Sequence, residues 1–173
     1  MGLGGITVTE TSRIADQFQR AFNGDPWYGE PLTKILEGIS AHEAAAHPLL
    51  GARSIWEIVF HVSAWIGETT QRLRGRTPGE PAEGDWPTVK ETTAEAWEQA
   101  KTALTRVHEE LLRELASTPE DRLGETAGAP ARDRAQGTGI SYYVLLHGVL
   151  QHNVYHTAQI ASMRRVLAAR WSV

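Results

Sequence analysis

Cysteine is absent from this chain, which excludes disulfides, thiolate metal ligands and a protein-borne thiol nucleophile. Any metal must then be held by His, Asp or Glu. The lack of cysteine also fits a cytoplasmic protein, the expected localisation. Strong charge of one sign is missing too: the net charge is −4, and no dense Lys/Arg run is present. That argues against a nucleic-acid surface. No apolar run approaches the length of a membrane span, so no membrane partner is expected. MGLGGITVTE lacks the basic start and apolar stretch of a signal peptide, and residues 1–8 are expected to be a flexible end. Sustained two-residue alternation and internal repeats are likewise missing, so no major sheet is expected.

What remains is an ordinary globular composition. The 173 residues are 41% hydrophobic and 22% charged, enough for one domain, taken as residues 9–173, to bury a core of its own. The pattern is helical. A first helix is expected from about Thr9 to Phe22 with Ile14, Phe18 and Phe22 on one face, and a short one from Leu32 to Ile39. Ser54 with Glu57 forms a capping box ahead of a helix that ends near Gly75. Thr92 with Glu95 suggests a second box, opening a helix to about Ala116 with Trp97, Leu104, Val107, Leu111 and Leu115 inward. The last helix is expected from about Thr138 or Ser141 to Ala169. RTPGEPAEGDWPT and the long stretch 117–139 read as loops, as does the segment around His42 and His47. Four long amphipathic helices with additional short ones make an all-α protein, a four-helix bundle.

The informative segment is LLHGVLQHNVYHTAQIASMRRVL. Leu145, Val149, His152, His156, Gln159, Met163 and Val166 step alternately by four and three, the spacing of one inward stripe. The middle of that stripe is His, His and Gln. Burying such groups without partners costs roughly 1–3 kcal/mol each. A metal ion uses two imidazoles one turn apart, because i and i+4 side chains share a face. A bare HxxxH is more often a pair of ordinary histidines; the seam position and Gln159 favour ligands here. His61, beside the apolar stripe of the helix after Ser54, supplies a third ligand from a facing helix. His147 falls on the opposite side of its helix, and His108, amid charges in HEELLRE, reads as solvated. No strong fourth ligand stands out: Glu57, one turn before His61, is already explained by its capping box, and Glu68 is the other carboxylate on that helix face. The six tryptophans read as core and bundle-end packing rather than an aromatic cage.

SIWEIVFHVSAW around His61 and LLHGVLQHNVYHTAQI around His152 and His156 resemble the DinB/YfiT-like metalloenzyme family, as does the DPWYG segment with its short helix. The resemblance covers most of the chain. It implies a four-helix bundle of variant up-and-down topology and a three-His site, with His61, His152 and His156 as metal ligands. Thr157-Ala158 before Gln159 departs from the Arg-Gly or Ala-Gly common in the family. Some members are S-transferases that use a low-molecular-weight thiol such as bacillithiol, and related proteins include mycothiol-dependent isomerases. The expected cofactor is thus a divalent metal ion: zinc or nickel, with iron or manganese as alternatives. The expected partners are a small-molecule substrate, a low-molecular-weight thiol among them, and a second copy of the chain in a homodimer. Three functions stay open: a metal-dependent thiol S-transferase, a metal-dependent hydrolase activating water, and a stress-related bundle that binds metal without chemistry. No residue is assigned a catalytic role.

Overall fold

The computed structural model describes residues 8–128 and 139–171. The expected flexible end lies outside the described residues except for Val8, and so does the 129–138 part of the long loop. Among the described residues, six α-helices run in chain order: α1 (Glu10–Asn23), α2 (Leu32–Leu36), α3 (Ala41–Ala45), α4 (Ile55–Leu73), α5 (Ala94–Ser117) and α6 (Tyr142–Trp171). A 3-10 turn at Glu120–Gly124 and a two-stranded antiparallel ribbon, β1 (Thr126–Ala127) with β2 (Ile140–Ser141), lie between α5 and α6. The fold is all-α, as expected. Among the described residues, no helix is long and apolar enough to cross a membrane.

The four long helices form the bundle. The principal contacts of α4 are with α5 and α6, and α1 packs on the same two. Of the helices consecutive among the long four, α4 and α5 therefore pack side by side, whereas α1 with α4 and α5 with α6 sit on diagonals. Short elements carry both crossings: α2, resting on α1 and α6, and α3, on α4 and α5, lie between α1 and α4, and the 3-10 turn and ribbon lie between α5 and α6. One consequence matters for function. The arrangement puts α4 directly against α6, and those two helices carry the three candidate histidines.

Side-chain caps set the helix starts. Ser54 and Glu57 make the expected capping box for α4. Ser40 and Glu43 make another for α3, a helix the sequence pattern did not suggest. Its five residues bury only Ala44, too few apolar positions to show a period. The box expected at Thr92 and Glu95 is not formed. Thr93 caps α5 instead, its hydroxyl accepting from the Ala96 amide at 3.1 Å. Adjacent threonines offer the same hydroxyl, and the one left extended at the helix mouth takes the amide.

The core is continuous across the bundle, with Ile14, Phe18, Ile58, Val62, Leu104, Leu111, Leu146 and Ile160 among its buried members. His108 belongs to it, against expectation. It is 2% exposed and stacks on Phe22 with ring centroids 3.8 Å apart. Burial holds its pKa down at about 4, so the ring is neutral.

Candidate metal centre

Helix α4 presents His61 and α6 presents His152 and His156, and the three rings meet between the helices. Nε2 of His61 lies 2.8 Å from Nε2 of His152, which lies 3.1 Å from Nε2 of His156. The candidate ligand atoms all fall within 4.8 Å of one another. His61 and His156 are buried and His152 is partly so. The i, i+4 spacing brings the α6 pair onto one face, and the α4–α6 contact adds the third ring.

The outer nitrogens decide which tautomers are present. Nδ1 of His61 is 2.6 Å from the backbone carbonyl oxygen of Asp85, and Nδ1 of His156 is 2.7 Å from Oε1 of Gln159. A carbonyl oxygen only accepts, so both Nδ1 atoms carry the proton and donate it. In a neutral ring the Nε2 atom is then a bare lone pair. Two such lone pairs point at His152, whose own Nε2 could direct a proton to only one of them. A second proton is disfavoured. Burial, then the neighbouring His156 and His61, lower the His152 pKa to about 4, and burial lowers that of His156 as well. Converging imidazole lone pairs are a donor set that a divalent ion fits.

Among the described residues the ligand group is three. Glu57 is engaged elsewhere: burial would raise its pKa, but Ser54, Arg53 and His47 hold it at about 2. Glu68 is buried two turns along α4 in ion pairs with Arg72 and Arg76. His147 stands outside the cluster, its ring against Tyr143.

Residues not singled out in the sequence shape the surroundings. Trp86 lies flat on His61, with centroids 3.8 Å apart and planes within 6°. Trp65, one turn after His61, meets the His152 ring edge-on at 6.4 Å and donates from Nε1 to Oδ1 of Asp85 at 2.7 Å. Arg53 caps the Trp86 ring at 4.7 Å. The packing role expected of the tryptophans therefore holds for buried Trp56 and Trp97, whereas Trp65 and Trp86 wall the histidines. Trp27 is fully exposed. Loop residues such as Asp85 and Trp86 carry no periodic signal; a Trp between Asp and Pro inside a Pro/Gly-rich loop was the one available hint.

The DinB superfamily model matches residues 30–160, well over half of the chain and including all three histidines. The chain belongs to the DinB superfamily. No curated protein and no solved structure matches it. The match runs from α2 through the middle of α6, so this DinB chain carries the family pattern across both site-bearing helices.

Proposed function

We propose that this DinB-superfamily chain holds a divalent metal ion on His61, His152 and His156 and acts as a metal-dependent thiol S-transferase. One observation carries the reading: the Nε2 atoms of three imidazoles converge on one point, with the protons of His61 and His156 committed outward. Structural zinc sites are usually closed by four protein ligands, and three His ligands leave room for an exogenous one. When bound, the ion would supply the positive charge that keeps a small thiol in its thiolate form. The chain has no cysteine of its own, so that thiol arrives as a cosubstrate. Asp85 and Gln159 keep the ligand rings in the donor tautomer, and Trp65 and Trp86 shield them from water.

Cobalt-substituted protein tests this directly. Adding a low-molecular-weight thiol is expected to produce a sulfur-to-metal charge-transfer band, and conjugation of that thiol to an electrophile is expected to need both metal and His61. If water is activated instead, the same thiol inhibits ester or amide hydrolysis, the opposite sign for one reagent. A cobalt spectrum unchanged at millimolar thiol overturns the S-transferase reading.

A further inference from the structure

Helix α4 carries His61, Trp65, Glu68 and Arg72 at steps of four, three and four, one polar face that the segment after Gly75 covers. The segment is tied down at two places. Near Gly79, the Arg72 guanidinium donates to the Gly79 carbonyl at 2.8 Å, and the Gly79 amide donates to Glu68 at 3.3 Å. Arg76 reaches back to the Glu68 carboxylate and donates to the Glu80 carbonyl at 3.3 Å. Pro78 lies against Gly128, where a Cβ would approach within 2.3 Å of the proline ring. The second tie is Asp85. Its carbonyl accepts from His61 Nδ1 at 2.6 Å, its carboxylate lies 3.3 Å from the same nitrogen, and that carboxylate accepts from Trp65.

We propose that Asp85 is the positioning residue of the metal centre, and that the Glu68–Arg72–Arg76 cluster is the anchor that presents it. The inference rests on the metal reading of the three histidines and adds a division of labour within the loop. The Asp85 carbonyl fixes which His61 nitrogen faces the ion. Its carboxylate, within reach of the same N–H, places negative charge behind the ligand and strengthens Nε2 as a donor. A free loop could do neither, because each contact depends on where the backbone at Asp85 sits. The anchor is built to hold that backbone. Glu68 and Arg72 are each 1% exposed in their side chains, and they bond the loop through its own amide and carbonyl. Trp86 completes the placement by lying on the His61 ring next to the residue that bonds it.

Metal affinity of the full chain, measured with zinc and cobalt by chelator competition, is the main test. Asp85→Asn keeps an acceptor for Trp65 but removes the charge, and it is expected to weaken binding about tenfold or more and to shift the cobalt d–d bands. Arg76→Ala touches no ligand and sits on a partly exposed side chain, so the fold is expected to survive. It is expected to weaken binding several-fold, with the Arg76→Ala and Asp85→Asn effects less than additive in the double variant. Unchanged affinity and spectrum in Asp85→Asn overturn the positioning role, and full additivity overturns the anchor. A second readout needs no metal: 15N NMR of metal-free protein is expected to show the His61 proton on Nδ1, and a mixture of tautomers in the Asp85→Ala, Arg76→Ala double variant. A single wild-type tautomer in that double variant overturns the proposal. Wild-type protein that takes up no metal overturns the metal reading itself, an outcome distinct from either.

Discussion

Two polar clusters are buried along the same face of α4, about two turns apart, and they are satisfied in different ways. At Glu68 the account closes within the protein. The carboxylate receives Arg72 at 2.9 Å, Arg76 and the Gly79 amide, and Arg72 donates onward to Gly79. At His61 it does not close, because like groups face like groups, with the protons of His61 and His156 turned away. A buried cluster of complementary charges is a structural element, whereas a buried cluster of identical neutral donors asks for something from outside. That contrast, more than burial alone, distinguishes a scaffold from a site in this bundle.

The largest effect is expected at the closed cluster. Glu68→Leu removes the carboxylate that pairs with Arg72 in the core and is expected to cost about 3–5 kcal/mol in denaturant titrations of chelator-treated protein. Glu68→Leu with Arg72→Met is expected to recover most of that loss. A Glu68→Leu protein as stable as wild type would break the comparison from one side.

At the open cluster the expectation reverses. Metal binding is expected to raise stability by roughly 4 kcal/mol at a thousandfold excess over Kd, and chelator to remove it. His61→Ala, His152→Ala or His156→Ala should each abolish both stoichiometric metal and the chelator effect, while His147→Ala leaves them. Loss of metal in His147→Ala with retention in His61→Ala would refute the ligand assignment.

His108 offers an intermediate case, a single buried imidazole whose Nε2 has no hydrogen-bond partner among the described residues. Its folded pKa of about 4 lies below the ordinary histidine value of 6.5, so between those values the unfolded chain binds the extra proton. Stability from this group is then complete above pH 6.5 and falls as pH drops toward 4, by about 3 kcal/mol at most. His108→Phe, stacked on Phe22 in its place, is expected to flatten that part of the profile relative to wild type. Equal slopes in both proteins would show that folding does not lower the pKa of this ring. The smallest effect calibrates the rest: Thr93→Ala is expected to cost about 1 kcal/mol and Thr92→Ala almost nothing, read from thermal melts.

Much of this was legible in advance because helices write their burial into the sequence. Ile14, Phe18 and Phe22 repeat at one turn, and so do His152 and His156 within an apolar seam. His108 was legible by the same rule. It continues the Leu104, Leu111, Leu115 stripe, but its charged neighbours in HEELLRE pointed the other way, and burial followed the stripe. Helix α3 was not legible, because its Ser40–Glu43 box stands without the apolar repeat that supports a helix. Asp85, Trp86 and Trp65 were illegible as site residues, since two of them lie in a loop and the third reads as a core aromatic.

The order of residues by itself determined the all-α fold, the two helices that carry the histidines, and the exclusion of thiolate chemistry from the chain. Those follow from local periodicity and from composition, which need no knowledge of what lies across the core. Tertiary structure alone decided that α4 faces α6, that the carbonyl of Asp85 reaches His61, and that Glu68 meets Arg76 rather than the histidines. Each of these joins helix to helix or helix to loop. A hydrogen bond from a side chain to a distant backbone carbonyl depends on position and hardly on residue type, so it leaves no pattern in the sequence to read.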